Sequence, residues 1–282
     1  MKPKALILQA HGSNRDLDVM DALTLAGADP TGIPLNELRM NNALLRSFNL
    51  LVLPGGFSYA DALGAGKLLA LDLASYFADE ITAFVDSGKP VIGICNGFQA
   101  LVKSGILPGN NVIARRALSP TKQSPANDEI DSGYRPRNDS VTLTFNAQGH
   151  FECRWVNLKP ISQKCVWTKG LSDVIECPIA HGEGNFQTNH QLQITNLQSL
   201  DQIALTYIHA DGSSANGEYP VNPNGSVLDI AGICNPQGNV LGLMPHPENH
   251  IYPWQHPLHT RGETSGSGLK LFENGVKYAS QL

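Results

Sequence analysis

The chain has 282 residues, 41% of them hydrophobic, enough for one large or two small domains around a substantial core. Its formal charge is −5, and the lysines and arginines are scattered rather than gathered into a stripe, so the footprint of a nucleic-acid binder or of a protein of anionic membranes is absent. Five cysteines, odd in number and without a C-x-x-C pair, argue against a disulfide framework and against a structural zinc.

The opening stretch "MKPKALILQAHGSN" carries an apolar run too short for a signal-peptide core or a membrane span, and predicts a cytoplasmic protein. Three short apolar runs, "ALIL" (5–8), "LLVL" (50–53) and "VIGIC" (91–95), are each followed by loops containing glycine. Helix-like stretches separate them, at 14–28 and, as one long helix, at 67–88. That rhythm predicts a parallel sheet with helical crossovers. From 114 to 140 the composition turns to Ser, Pro, Asn and Asp without apolar period, as in a long surface loop. Strands follow at 141–145, 151–158 and 203–208, then "VLDIAGIC" and "NVLGLMP" joined by "NPQG" as a hairpin, and a closing helix at 267–282. The expected architecture is a three-layer α/β domain over 1–282, with a mainly parallel central sheet and an added antiparallel segment.

The most informative stretch is "VIGICNGFQA" (91–100), where a buried-type strand gives way to Gly93-Ile94-Cys95-Asn96-Gly97. A nucleophile at a sharp strand-to-helix turn needs small residues two positions to either side, and the helix that follows aims its positive end at the sulfur. A lone cysteine is more often a small buried hydrophobe; the paired glycines reverse that reading. Such a nucleophile requires a base and an oxyanion site. His246-Pro247-Glu248 supplies the base: an extended backbone about the proline would project His246 and Glu248 to one side, Glu248 holding one imidazole nitrogen while the other takes the thiol proton. Gly55-Gly56, directly after a strand, lets backbone N–H groups approach a ligand, and the N–H of Asn96 is the partner donor.

Two other patterns carry less. "DALGAGK" lacks the first glycine and the hydroxyl residue of a phosphate loop, so no nucleotide site is recognisable. His256-x-x-His259 has a metal-ligand spacing, but prolines break the helix that would align the pair, and no metal is expected.

Taken together, "PGGFSYADALGAGK", "GICNGFQALVKSGILPG", "PIAHGEGNF" and "GLMPHPE" resemble the class I (triad) glutamine amidotransferases, and among them the glutaminase subunits of phosphoribosylformylglycinamidine synthase. The resemblance runs from the first strand to "LFENGVKYA". It implies that Cys95 attacks the side-chain amide of L-glutamine to form a γ-glutamyl thioester, that His246 shuttles protons, and that Glu248 orients it. It implies further that Gln99 helps to hold the substrate, that Gly56 and Asn96 supply the oxyanion donors, and that His181 and Glu183 border the site or face a partner. No cofactor is implied for this chain. ATP and magnesium belong to a separate synthetase, which with a small bridging subunit takes the ammonia and converts formylglycinamide ribonucleotide to its amidine in purine synthesis. Ala60, where the family often has Gly, Gln148, where Ser is common, and the longer stretches at 114–140 and 249–266 depart from the pattern without touching the triad. The rival readings are the glutaminase of another amidotransferase, another cysteine hydrolase on the same sheet, and a silent regulatory subunit. The second would not need Gln99, and the third would not need Cys95, His246 and Glu248 together.

Overall fold

The structure, a computed structural model, describes residues 2–109, 141–188, 190–262 and 265–282. The loop expected at 114–140 lies outside the described residues. In chain order the first elements are β1 (Lys4–Gln9), α1 (Asp16–Leu25), β2 (Asp29–Pro34), α2 (Leu35–Met40), β3 (Leu50–Leu53), α3 (Lys67–Tyr76), α4 (Ala78–Asp86), β4 (Val91–Ile94) and α5 (Asn96–Lys103). There follow β5 (Thr142–Thr144), β6 (Glu152–Pro160), β7 (Ile175–His181), β8 (Asn185–Gln187), α6 (Gln191–Ser199), β9 (Ile203–Ile208), β10 (Ile230–Cys234), β11 (Val240–Leu243) and α7 (Leu269–Ala279).

One nine-stranded sheet runs in the order β2-β1-β3-β4-β11-β10-β9-β6-β7, and β5 pairs with β8 in a small separate sheet. From β2 to β11 all pairings are parallel; from β11 to β7 all are antiparallel. The parallel strands β3 and β4 are buried along their whole length, as strands covered on both faces must be. Because the chain steps from β1 outward to β2 and then back through β3 to β4, right-handed crossovers place α1 on one face and α3 on the other. α1 packs with α7, and α3 packs with α5.

β2 was not foreseen: "DPTGIP" holds two prolines and a glycine, and forms a strand because it sits at the sheet edge, where one row of N–H groups needs no partner. The single helix expected at 67–88 is two helices. Phe77, with φ −129°, turns the axis between α3 and α4 while Ile81 N–H still donates to Phe77 O, and the bend keeps Leu73, Phe77, Ile81 and Phe84 all buried. Among the described residues no helix is long and apolar enough to cross a membrane.

β7 stands five places along the sheet from β4, about 24 Å away if the sheet were flat. Yet Cys95 Sγ lies 3.9 Å from Ala180 O, and His246 N–H donates to Pro178 O at 2.8 Å. The sheet therefore curls until its antiparallel end closes over the carboxyl ends of the parallel strands. A register shift on both sides of Gly232, where β10 meets β9, supplies local twist for that curl.

Candidate active site

The glycines at the β4–α5 turn act against each other and against β3. A Cβ on Gly93 would lie 2.8 Å from Gly97 O, and one on Gly97 would lie 2.0 Å from Leu53 O. Between them Cys95 has φ 48° and ψ −105°, a conformation that an L-residue adopts only when its surroundings force it. Cys95 N–H donates to Leu243 O at 2.8 Å and Cys95 O accepts from Gln99 N–H at 3.0 Å, which holds the strained residue from both sides. Its sulfur lines a cavity of about 190 Å³ together with Gly56, Asn96, Gln99, His181, Glu183 and His246.

β4 and β11 pair with Ile94 opposite Leu243, so the segments leaving both strands emerge side by side. His246 Nδ1–H donates to Glu248 Oε1 at 2.6 Å, and the two side chains are 4% and 0% exposed. The route to this contact differs from the extended backbone expected. Pro247–Asn249 form a 3-10 turn with proline at its first position, where its fixed φ and missing N–H cost nothing. Glu248 Oε2 is buried and has no hydrogen-bond partner among the described residues.

Gly55 and Gly56 divide their work. A Cβ on Gly55 would meet His246 Cε1 at 2.9 Å and Cys95 Cβ at 3.3 Å, so this glycine makes room for the sulfur and imidazole and does not itself line the cavity. Gly56, at φ 98°, faces the cavity, and neither its N–H nor that of Asn96 has an acceptor within the described residues. The Asn96 side chain braces this arrangement. Its Oδ1 accepts from Ser58 N–H at 3.1 Å and from the Ser58 hydroxyl, and its Nδ2 donates to Asp61 Oδ1 at 2.8 Å and to Gln99 Oε1 at 3.1 Å. Gln99 Nε2 in turn donates to Glu183 O at 2.6 Å.

Ser58 and Asp61 escaped the reading of the sequence; the one available signal was their place in the glycine-rich stretch after β3. Asn146 escaped it too. Its Nδ2 donates to His150 O and His181 O, so its Oδ1 is the acceptor for Gly184 N–H at 3.0 Å and for His181 Nδ1 at 3.2 Å. The His181 proton therefore sits on Nδ1, and Nε2 is a bare acceptor, buried and without a partner among the described residues. His256 lies edge-on to Trp155 at 4.6 Å and pairs with Glu176 at 3.2 Å. His259 stands in an exposed 3-10 turn, and no group of three or more metal-binding side chains is assembled among the described residues.

A glutamine amidotransferase domain of the CobB/CobQ-like family matches residues 2–279. Phosphoribosylformylglycinamidine synthase subunit PurQ of Treponema denticola is 51% identical over 281 residues, 99% of each chain. The chain belongs to the PurQ family of glutamine amidotransferases. The PurQ subunit of Dehalococcoides mccartyi is 40% identical, over 100% of this chain and 99% of its own length. The Thermotoga maritima PurLQS structure contains a chain that superposes with a TM-score of 0.68 at 29% identity, covering 99% of both.

Within this PurQ-family fold the two buried histidines are driven in opposite directions. Burial disfavours the charged form of His246, but the Glu248 carboxylate and the Cys95 sulfur outweigh it and push its pKa up to about 10. At His181 burial has no such opposition; with the His246 charge beside it, its pKa falls to about 3. Burial also pushes the Cys177 thiol well up, with the Glu248 charge adding to it.

These shifts carry opposite signs in stability. The unfolded chain protonates His181 near 6.5 and the folded chain does not until about 3, so stability is lost as pH falls through that window. His246 contributes stability that is complete below 6.5 and lost as pH rises through about 10. We expect His181→Gln to flatten the acid limb by about 1.4 kcal/mol per pH unit relative to wild type. Denaturant midpoints from pH 4 to 7 test this; parallel limbs in the two proteins would show that His181 is not held neutral.

Proposed function

We propose that this chain is the glutaminase subunit of a phosphoribosylformylglycinamidine synthase, and that it acts in the cytoplasm. The observation that carries the reading is Cys95 on its strained turn with the buried His246–Glu248 pair behind it, in a chain that matches PurQ subunits from end to end. Cys95, His246 and Glu248 are the catalytic residues. Glu248 keeps the proton on His246 Nδ1, so Nε2 is free to take the thiol proton. The sulfur attacks the side-chain carbonyl carbon of L-glutamine, and the N–H groups of Gly56 and Asn96 receive the negative oxygen. His246 returns the proton to the amide nitrogen, the C–N bond breaks, and ammonia leaves a γ-glutamyl thioester on Cys95. Water, deprotonated by His246, then releases glutamate and restores the thiol.

The ammonia passes to a separate synthetase chain, assembled with a small bridging subunit, where ATP and magnesium drive conversion of formylglycinamide ribonucleotide to its amidine. The cavity at Cys95 needs no metal or nucleotide for the steps assigned to this chain. The likeness to a chain of the Thermotoga maritima PurLQS structure and to PurQ subunits of phosphoribosylformylglycinamidine synthase supports the division of labour.

The test is glutamate release from L-glutamine by this chain alone and with the synthetase, bridging subunit, ATP and formylglycinamide ribonucleotide. Release is expected to rise with the partners. Absence of release in the complete mixture would overturn the reading in favour of a silent subunit or another cysteine chemistry.

A further inference from the structure

The charges at the Cys95 cavity are unevenly placed. Asp61, from the loop after β3, and Glu183, just beyond β7, both line it, and the Glu183 charge acts on the Asp61 carboxyl. Between them stands Lys103, with Nζ 3.5 Å from Glu183 Oε2 and a further hydrogen bond to Ala65 O. Arg15 also lines the cavity but is paired with Asp18 at 3.1 Å, which leaves two carboxylates against one ammonium and a surplus of negative charge.

Hydrogen bonds do not exhaust these oxygens. Asp61 accepts from Asn96 Nδ2 at 2.8 Å and from the Gly66 backbone, and among the described residues Glu183 Oε1 accepts a single long bond, 3.4 Å, from Ala65 N–H. A carboxylate offers about four acceptor sites. The same cavity is lined by His181, whose buried Nε2 is an acceptor with no partner among the described residues. The cavity thus presents acceptors and negative charge that the thioester chemistry at Cys95 does not call for.

The geometry points to Asp61 and Glu183 as the groups that bind the α-ammonium of the substrate amino acid, so that they decide between a free amino acid and a simple primary amide. The inference rests on the glutaminase reading above and adds to it the basis of substrate choice. In L-glutamine the α-nitrogen lies a short alkyl chain from the carbonyl that Cys95 attacks, so both ends of the substrate share one cavity. Burial raises the Asp61 pKa, a sign of a carboxylate short of positive charge until a cation joins it.

The test uses the assembled enzyme and two substrates, L-glutamine and glutaramate, which keeps the carboxylate and the primary amide but lacks the ammonium. Ammonia release gives kcat/KM for each. Because both substrates carry the carboxylate, any contact to Arg15, a cation lining the same cavity, cancels in the ratio. Wild type is expected to prefer L-glutamine, and Glu183→Gln or Asp61→Asn to shrink that preference roughly tenfold to a hundredfold, chiefly through KM for L-glutamine.

If both variants lower the two kcat/KM values in parallel, the carboxylates serve structure alone and the proposal fails. A wild-type enzyme that hydrolyses glutaramate as well as L-glutamine overturns it without any variant, while leaving the glutaminase reading intact. A wild-type complex that releases no ammonia from L-glutamine overturns that reading, and this proposal with it.

Discussion

Cys95→Ala is expected to lower glutamine-dependent amidation by the assembled enzyme at least about ten-thousandfold, because no other group can form the thioester. Amidation from added ammonium salt should stay near the wild-type rate, since free ammonia bypasses the cavity. Survival of glutamine-dependent turnover would remove Cys95 from the mechanism. The same position yields a stability comparison. At φ 48° and ψ −105° alanine inherits the strain borne by cysteine, whereas glycine does not. Cys95→Gly should therefore be more stable than Cys95→Ala by about 1 kcal/mol or more, read from denaturant midpoints. Equal midpoints would show that the turn stores no strain.

Gly97→Ala is expected to cost about 3 kcal/mol or more, the upper end of overpacking, because its Cβ would stand 2.0 Å from Leu53 O and 2.7 Å from Leu53 C. These are main-chain atoms of the neighbouring strand, with no rotamer to move out of the way. Either β3 or α5 must shift, and both carry parts of the site. Gly182→Ala makes the control: its Cβ would meet only Phe151 Cδ2, at an ordinary 3.8 Å, so its stability should stay close to wild type. A loss below about 1 kcal/mol for Gly97→Ala would mean that the turn is looser than its geometry indicates.

What could be read in advance depended on how local its cause is. The glycines flanking Cys95 report a steric demand within five residues, and they predicted the turn correctly. The strands β3, β4, β10 and β11 announced themselves as unbroken apolar runs, and the "NPQG" hairpin as a turn between two of them. His246 and Glu248 were legible as a pair two residues apart, although the turn that joins them is 3-10 and not extended. β2 was hidden because its prolines are tolerated only by an edge position, a property of the sheet and not of "DPTGIP". The break at Phe77 was hidden because the apolar spacing across 67–88 is equally good for one helix or two.

The amino-acid sequence by itself determined the parallel strands β1, β3 and β4, the turn that presents Cys95 and the pairing of His246 with Glu248, since periodicity, backbone sterics and short spacings are properties of neighbouring residues. Only the tertiary structure decided that β7 curls back over Cys95 from the far end of the sheet. It likewise decided that Asn146 turns His181 into a neutral acceptor and that Asn96 gathers Ser58, Asp61 and Gln99 around the cavity. Asn146 and His181, like Asn96 and Ser58, are more than thirty residues apart in the chain, and their contacts exist because the curled sheet and its loops exclude water from the space between them.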